Sequence, residues 1–554
     1  MKQKVTLFIL LFSTTISLNS LFAQKYTLTL SSKTAAELSV LHKIDYQKKH
    51  KDSLSIYNEL DRVSSYLKKI GYFSNTINSV SKDLNNFTVI FQLNERIENA
   101  VLIFKNPSSS LLKEFNFEGN SITIPIEKLQ QILSTFSKNL EKDGKSFSKV
   151  QLTDVSIKSK KLYGTLIIEE SKKRIITKTI VKGYKDFPKS YFKNYYNINR
   201  NTIFNKQKLE TIKRLSNNLS FVEEIKPPEI LFTKDSTYLY IYLKKRNSSS
   251  FNGLINFSSN ESGNLIFNGH IDLKLNNIFN TGENLNLFWN SIGEEKQEFE
   301  LSLNTPYILN SKISPDISFS IYKQDSTFIN TKFNTNINYS INEKSKIGLT
   351  FSLEDSEKLI NDSKNNVYTF NNFFLGTTFQ FNIPKNDFFR NDKFSFDINP
   401  SIGKRTSLIE SSNQFKIHLN TSYIFDINNR NSIFIRNNTG YLNSTNFIEN
   451  ELFRIGGSKS IRGFNEQSIF AKDYTFFNIE YRYVTSEKSY LYSITDIGKI
   501  NTTIKSEDLL SIGLGYLFTS RNSQINLSVA SILNTNTKID LKSTQLSLNW
   551  KNFF

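Results

Sequence analysis

The 554-residue chain has no cysteine, one methionine, nine prolines and only four histidines. Without cysteine, the protein has no disulfides, no thiolate metal ligands and no thiol nucleophile. The four histidines are never three or four residues apart, so no helical histidine pair can bind a metal. Beyond the N-terminus no run of 18 apolar residues occurs, which excludes a helical membrane protein. We expect no metal site and no cofactor.

Catalytic motifs are missing as well. Ser458, Lys459 and Ser460 follow two glycines, but the Gly-Lys-Ser/Thr order of a phosphate-binding loop is absent. Ser110 and Lys113 match a Ser-x-x-Lys pattern of the kind that occurs by chance, and no Gly-x-Ser-x-Gly elbow is present. We therefore expect no catalytic residues and no enzymatic activity. No nucleic-acid recognition motif occurs either, so we expect no nucleic-acid partner.

The basic residues are concentrated in the first half of the chain. Residues 1–250 contain 41 Lys+Arg and 22 Asp+Glu, whereas residues 251–554 contain 29 of each. The whole net charge of +19 therefore lies in the first half. Solubility explains such a charge, and contact with anionic lipid headgroups or acidic client proteins is the functional alternative. Halves of such different composition indicate two environments.

The N-terminus has the pattern of a secretory signal peptide. Lys2 and Lys4 precede a mostly apolar run at residues 5–12, and a small residue, Ala23, follows at the distance of a cleavage site. We predict a signal peptide at residues 1–23. An N-terminal membrane anchor is the alternative, but the apolar run is short for a spanning helix of about 20 residues.

Three helical patterns divide residues 24–246 into similar units. The patterns follow helix-starting residues, Asp52, Pro125 and Asn205, at intervals of roughly 75 residues. Each helix is followed by segments rich in β-forming residues, which predicts β-α-β-β units that bury one face of a small sheet under helices. The predicted bounds of the three units are 24–97, 98–171 and 172–246.

From about residue 250 onward, apolar and polar residues alternate. In one segment Leu510, Ile512 and Leu514 face one way, and Ser511 and Gly513 face the other. This period of two is typical of strands with one face in lipid and one face in a polar lumen. About sixteen such segments fit into residues 250–554, so we predict a 16-stranded antiparallel transmembrane β-barrel. A soluble β-sandwich is the alternative.

The last of these segments carries a signature of its own. Leu548, Trp550 and Phe554 share one face, and Phe554 ends the chain. A C-terminal aromatic strand resembles the recognition signal that outer-membrane barrels present to their assembly machinery.

One connection breaks the alternation. Between the segments near 432–441 and 474–484 lies Phe-Arg-Ile-Gly-Gly-Ser-Lys-Ser-Ile-Arg-Gly-Phe, residues 453–464. This sequence closely resembles the inward-folded loop of the outer-membrane assembly-factor superfamily, the bacterial surface antigen family that includes BamA, TamA and the two-partner secretion translocators. The family motif is Val-Arg-Gly-Phe or Val-Arg-Gly-Tyr, with Ile461 in place of valine here. The loop residues that match or flank the motif are Gly456, Gly457, Ile461, Arg462, Gly463 and Phe464.

A second motif of the superfamily, Phe-x-Asp-x-Gly, is similar to a segment in which Asp496 and Gly498 match and Ile494 replaces the aromatic residue. Glu480 lies where the family has an acidic residue on the intervening strand. Alternation places Glu480 on the lumenal face, and the resemblance implies the same for Asp496. The guanidinium of Arg462 can then pair bidentately with a lumenal carboxylate and hold the loop inside the barrel. An exposed surface-loop arginine is the alternative.

The resemblance implies an α+β periplasmic region followed by an outer-membrane barrel. Residues 24–246 would be three polypeptide-transport-associated domains of β-α-α-β-β order, a layout most similar to TamA. The implied function is the insertion of β-barrel proteins, or of autotransporter-like clients, by strand templating at the barrel seam. The implied partners are unfolded outer-membrane β-barrel proteins, outer-membrane lipids, and a periplasmic accessory or inner-membrane protein. A two-partner-secretion translocator and a passive or lipid channel are the alternatives.

Overall fold

The structure is a computed structural model that describes residues 26–105, 121–259, 265–292, 296–360, 366–385, 387–389, 391–408, 410–520, 522–533 and 544–554. The predicted signal peptide and the Ser110–Lys113 pattern lie outside these ranges. The chain divides into two compact units, one of residues up to 174 with 203–206, the other of residues 175–202 with 207–554. No helix in the described ranges is long and apolar enough to cross a membrane.

The first repeat is a four-stranded sheet in the order β2-β1-β4-β3 with two helices. Its elements are β1 (Tyr26–Ser32), α1 (Ala35–Leu41), β2 (Lys49–His50), α2 (Ser53–Lys69), β3 (Thr76–Asp83) and β4 (Asn86–Gln92). Helix α2 begins as predicted, because the Asp52 side chain accepts a 2.7 Å hydrogen bond from the main-chain N–H of Ser55. One apolar stripe of α2 is buried in the domain core, and its members are Ile56, Leu60, Val63 and Leu67.

The second repeat has a four-stranded sheet in the order β6-β5-β8-β7. Its elements are β5 (Asn99–Phe104), β6 (Ser121–Pro125), a 3-10 turn (Ile126–Lys128), α3 (Leu129–Lys142), β7 (Lys149–Lys158) and β8 (Lys161–Glu169). Strand β5 is parallel to β8, and the other pairs are antiparallel. Phe136 and Leu140 of α3 are buried in its core. The helix lies just after Pro125, as the sequence predicts.

The third repeat has a three-stranded sheet in the order β10-β11-β9. Its elements are β9 (Lys178–Lys182), α4 (Ser190–Asn194), α5 (Lys206–Asn218), β10 (Val222–Phe232) and β11 (Thr237–Lys245). Helix α5 buries Ile212 and Leu215. The chain order is the expected β-α-α-β-β, with β9 parallel to β11.

Sixteen antiparallel strands form a closed barrel, which confirms the predicted fold class. Each strand pairs with the next barrel strand along the chain, and the last pairs with the first. The strands are β12 (Ser250–Ser259), β13 (Leu265–Asn276), β14 (Asn284–Ile292), β15 (Lys296–Asn304), β16 (Ile313–Gln324), β17 (Phe328–Ser340), β18 (Ser345–Lys358), β19 (Phe370–Pro384), β20 (Asp392–Ser407), β21 (Ser411–Asp426), β22 (Asn431–Asn443), β25 (Asp473–Ser486), β26 (Ser489–Asn501), β27 (Ser506–Thr519), β28 (Ser523–Ile532) and β29 (Gln545–Phe553).

The alternation in the sequence corresponds to the two faces of the barrel wall. On β27, Leu514 and Tyr516 are 71% and 40% exposed on the outer face, whereas Ser511 is fully buried on the inner face. On β25, Phe477 and Tyr481 face outward while Glu480 is buried inside. Apolar side chains that remain exposed along the outer wall are suited to lipid, so the barrel has the surface of a membrane-spanning protein.

The third domain packs against turns at the end of the barrel where β12 begins. The rings of Tyr191 and Tyr307 lie edge to face with centroids 5.0 Å apart. Tyr184 Oη donates a 2.6 Å hydrogen bond to Asn280 Oδ1 and accepts a 2.8 Å bond from Asn277 Nδ2. We call this contact the tyrosine joint; its aromatic residues are Tyr184, Phe187, Tyr191, Phe192, Tyr195, Tyr196, Phe221 and Tyr307. Burial raises the pKa of Tyr191 well above its ordinary value, so its hydroxyl stays neutral.

Candidate functional site: the inward loop and the barrel seam

The connection between β22 and β25, residues 444–472, folds into the barrel lumen. It contains a 3-10 turn (Glu449–Glu451) and a short hairpin of β23 (Phe453–Ile455) and β24 (Ile469–Ala471). Its side chains and main chain contact inward-facing residues on widely separated strands, from β14 to β29. We call residues 444–472 the inward loop.

Arg462 forms the ion pairs that the loop motif predicts. Its Nε and Nη2 donate to the two carboxylate oxygens of Asp496 at 2.9 and 2.6 Å, and its main-chain N–H donates to the same carboxylate at 2.8 Å. Its Nη1 donates to Glu480 Oε1 at 2.6 Å. The side chains of Asp496 and Glu480 are 0% and 9% exposed, so water screens these bonds little.

Glu480 has a second arginine partner. Arg482, on the same strand as Glu480, donates from Nε and Nη2 to Glu480 Oε2 at 2.8 and 2.7 Å. Each carboxylate therefore has an arginine partner, which reduces the cost of burying the charged groups. Within the described ranges no group of three or more His, Cys, Asp or Glu residues is arranged to hold a metal ion. At this site, ion pairs hold the inward loop against the barrel wall.

Arg436 on β22 is a member of this site that the sequence interpretation missed. Its Nε donates to Asn478 Oδ1 at 2.9 Å, and its Nη2 donates to the main-chain carbonyl of Lys459 at 2.8 Å. Asn478 in turn donates to the carbonyl of Ser460 at 2.9 Å. The pairing of β22 with β25 is the signal that points to Arg436, since Arg436 lies directly opposite Asn478. These bonds fix the loop main chain just before Arg462.

Ile461 and Gly498 fit against each other beside the ion pairs. Ile461 is fully buried in an apolar cluster with Phe453, Tyr474 and Phe476, and Phe464 packs against the same cluster. A Cβ added at Gly498 would lie 2.8 Å from Cδ1 of Ile461, which is closer than real Cβ contacts. The glycine of the second motif therefore makes room for the isoleucine of the first.

The loop glycines have backbone conformations that favour glycine. Gly456, Gly457 and Gly463 have φ values of 109°, 97° and 90°. A Cβ at Gly456 would in addition lie 2.4 Å from the carbonyl oxygen of Asn465, across the base of the loop tip. The glycine pair thus allows the tight turn that brings Arg462 back towards β25 and β26.

The inward loop also contacts the first strands of the barrel and the last one. Lys459 lies over the ring of Phe288 on β14, with Nζ 4.1 Å from the centroid. Gln467 Nε2 donates to Glu298 Oε2 on β15 at 2.8 Å. Gln545 on β29 donates to Asn465 Oδ1 at 2.7 Å. Between these contacts lies a polar cavity of about 610 Å³ that the loop, β12 to β15 and β29 line.

The seam between β12 and β29 is the shortest strand pairing in the barrel. Only two residue pairs join these strands, Ser250 with Phe553 and Phe251 with Asn552. The main-chain N–H of Phe554 donates to the carbonyl of Ser249 at 2.9 Å just beyond them. By contrast, β12 pairs with β13 over ten positions, and β29 pairs with β28 over eight. The two strands of the seam thus pair with each other at two positions, whereas each pairs with its other neighbour at eight or more.

The predicted C-terminal signal lies on the outer face of β29. Leu548 and Trp550 are 64% and 54% exposed, and Phe554 is 55% exposed at the end of the chain. The structure brings Arg462, Glu480 and Asp496 together with Ile461 and Gly498. It places Leu548, Trp550 and Phe554 elsewhere, at the seam.

Comparison with known proteins gives one family match, and no curated protein matches the chain. Residues 320–518 match the family described as haemolysin secretion/activation protein ShlB/FhaC/HecB, which is about a third of the chain. The inward loop and the strands that carry Glu480 and Asp496 lie inside the matched range.

Several solved structures are similar to this chain at low sequence identity. CdiB from Escherichia coli is 13% identical with a TM-score of 0.50, over 90% of this chain and 97% of that one. CdiB from Acinetobacter baumannii is 16% identical with a TM-score of 0.49, over 83% and 90%. BamA from Haemophilus ducreyi lacking POTRA domains 1–3 is 14% identical with a TM-score of 0.47, over 82% and 99%.

The family match, which includes the inward loop, supports the superfamily that the loop motif predicts, and the closer likeness to TamA stays a prediction. The barrel lies in the outer membrane, and the N-terminal domains, which resemble polypeptide-transport-associated domains, lie in the periplasm. The fold is that of an outer-membrane protein that translocates or assembles other polypeptides.

Proposed function

We propose that this protein inserts client β-barrel proteins into the outer membrane by pairing their strands with the open seam between β12 and β29. The observation that carries the proposal is the seam itself, which two residue pairs close. Every other junction of two barrel strands has at least eight register pairs. The seam is therefore the place where the barrel opens at the lowest cost.

An exposed strand edge at membrane depth has a strong chemical preference for another strand. Lipid tails offer no hydrogen bonds, so each unpaired main-chain N–H or C=O group there costs several kcal/mol. A client strand that pairs with β12 or β29 satisfies its own edge and the edge of the barrel together. The client can then grow strand by strand without exposing a free edge to lipid.

The inward loop supports the seam from inside. Arg462 joins it to β25 and β26, Gln467 joins it to β15, and Asn465 joins it to β29. These contacts connect strands on both sides of the seam through the lumen. In the proposed mechanism the loop keeps the walls in place while the seam opens.

The periplasmic domains offer edges for clients before insertion. Strand β3 is an edge strand of the first sheet, and all of its residues are exposed. Strand β7 is an edge strand of the second sheet and exposes Val155 and Ile157. An extended segment of an unfolded barrel protein, or of an accessory protein, can add to such an edge by β-augmentation. The proposal includes no catalytic step and no cofactor.

Secretion of one dedicated polypeptide through the lumen is the second candidate function. The match of residues 320–518 to a family described by haemolysin secretion favours it. In this mechanism the inward loop would leave the path of the client through the lumen, and the seam would stay closed.

Quantitative proteomics of isolated outer membranes after depletion of the protein separates the two candidates. We expect many unrelated barrel proteins to decrease, and we expect rescue by wild type but poor rescue by Arg462→Ala. Arg462→Lys is the matched control, since it keeps the charge and loses the planar fork. If a single secreted protein disappeared from the medium while the barrel proteins stayed unchanged, secretion would replace insertion as the proposed function.

A further inference from the structure

We propose that the inward loop has a second anchor at its base, built by residues to which neither motif points, and that this anchor holds the loop independently of Arg462. We call it the base anchor; its residues are Asn330, Ser356, Arg405, Gln414, Asn450 and Glu451. This inference concerns the placement of the loop and holds for insertion and secretion alike.

The carboxylate of Glu451 is the ionic centre of the base anchor. Its Oε1 accepts hydrogen bonds from Arg405 Nη1 and, at 3.1 Å, from the main-chain N–H of Ile448. Its Oε2 accepts a 2.8 Å bond from Gln414 Nε2. Arg405 Nη1 also donates to the carbonyl of Asn446 at 3.1 Å. The side chains of Arg405 and Glu451 are each 2% exposed, so both charges are desolvated and depend on each other.

Asn450 fastens the adjacent residue through neutral hydrogen bonds. Its Nδ2 donates to Ser356 Oγ at 2.6 Å and to the carbonyl of Tyr368 at 2.7 Å. Its main-chain carbonyl accepts a 2.7 Å bond from Asn330 Nδ2, and Ser356 Oγ donates to Asn330 Oδ1 at 2.6 Å. Asn450 is fully buried, so the loss of these partners would leave polar atoms unsatisfied.

The two anchors use different parts of the barrel wall. The base anchor lies on β17, β18, β20 and β21, near the strand ends from which the loop departs. The Arg462 anchor lies on β25 and β26. No residue belongs to both, and β23 lies between Glu451 and Arg462 along the loop. Sites without shared partners act almost additively, so either anchor can open while the other stays closed.

In this arrangement the base anchor can stay closed as a fixed point while Arg462 is released. A client that displaces Arg462 from Asp496 frees the loop tip to move within the lumen. The tip returns to the same place afterwards, because residues 444–452 have not left the wall.

Cysteine labelling tests this directly, because the chain contains no cysteine and an introduced one is a unique reporter. Ile448→Cys reports on the base and Ile461→Cys on the tip; both side chains are buried. The full-length protein in isolated outer membranes is exposed to a water-soluble maleimide, alone or with Arg405→Met or Arg462→Met. Lys404→Met is the matched control, since it removes a charge from the exposed outer face of the same strand.

We expect Arg405→Met to raise the labelling rate of the base reporter roughly tenfold or more and to change the tip reporter by less than about twofold. Arg462→Met gives the reverse pattern, and Lys404→Met changes neither. If Arg405→Met does not reach the membrane, Asn450→Ala takes its place, because the alanine substitution leaves no unpaired charge. It gives the same pattern with a smaller rise. The proposal would be overturned if Arg462→Met exposed both reporters equally. It would also be overturned if the base reporter stayed protected in both Arg405→Met and Asn450→Ala.

Discussion

The two sides of the barrel seam are fastened very differently. On the β12 side, the next strands are held by the third domain through the tyrosine joint and by the inward loop through Glu298 and Phe288. On the other side, β29 pairs with β28 over eight positions and with β12 over two, and Gln545 on β29 donates a side-chain hydrogen bond to the loop. In the proposed mechanism, this difference favours opening of the seam by movement of β29 against the β12 side.

Removal of Arg462 should have the largest effect, because it detaches the inward loop from β25 and β26. Arg462→Ala leaves Asp496 buried without its arginine partner and leaves Glu480 with Arg482 alone, at a cost of about 3–5 kcal/mol. We expect a lower midpoint of thermal unfolding for the barrel and faster proteolysis within residues 453–464. Asp496→Asn should lie between wild type and Arg462→Ala. An unchanged midpoint in both variants would contradict the role of this site in holding the loop.

Loss of the tyrosine joint should free the β12 side. Tyr191→Ala removes a buried ring that packs on Tyr307, and truncations of buried aromatic residues cost about 3–5 kcal/mol. Hydrogen exchange should then increase in the turn at residues 277–283 and in α4, while the inward loop stays protected. Tyr191→Phe is the matched control and should behave like wild type. If the turn stays protected from hydrogen exchange in Tyr191→Ala, the tyrosine joint is not what holds the β12 side in place.

A smaller effect should follow from a methyl group at Gly498. Its Cβ would meet Cδ1 of Ile461, and overpacking of this kind costs about 1–3 kcal/mol. Ile461→Val removes Cδ1, so the double variant Gly498→Ala with Ile461→Val should recover part of the lost stability. Thermal unfolding of the two single variants and the double variant measures this coupling. Strict additivity of the two changes would show that the two side chains do not compete for the same space.

The smallest effect concerns pH and the turn that carries the tyrosine joint. Burial alone would raise the pKa of Glu283, but hydrogen bonds from Thr281 and from the main-chain N–H of Phe279 hold it below its ordinary value. A carboxyl with a lowered pKa contributes stability above about pH 4.3, and this contribution disappears as the pH falls through the lowered value. Glu283→Gln should remove that dependence. Identical acid sensitivity in wild type and variant, measured by hydrogen exchange of residues 277–283, would refute this.

Much of the barrel could be predicted from the sequence because lipid imposes a period of two on every strand. The predicted start of the barrel at about residue 250 and the end of its last segment at Phe554 lie within a residue of the start of β12 and the end of β29. Arg462 and Asp496 could be paired because both belong to motifs. The three helix starts were visible because capping residues and apolar stripes are local signals.

The rest depends on contacts that leave no local pattern. Arg405 and Glu451 are 46 residues apart, and each looks like an ordinary polar residue on a lumenal face or in a loop. Tyr191 and Tyr307 belong to different domains, so only the folded chain brings their rings together. The short β12–β29 pairing joins the two ends of the barrel, and alternation within a strand does not say how many pairs it forms with its neighbour.

A disulfide across the seam tests the central claim most directly. Phe251→Cys with Asn552→Cys links β12 to β29 at a register pair, and Phe251→Cys with Leu273→Cys links the same residue of β12 to β13 as the control. In cells depleted of the wild-type protein, we predict that the oxidised seam pair stops the appearance of new barrel proteins in the outer membrane and that a reductant restores it. The control pair should support assembly in both states. Normal assembly with the seam fully cross-linked would contradict the account.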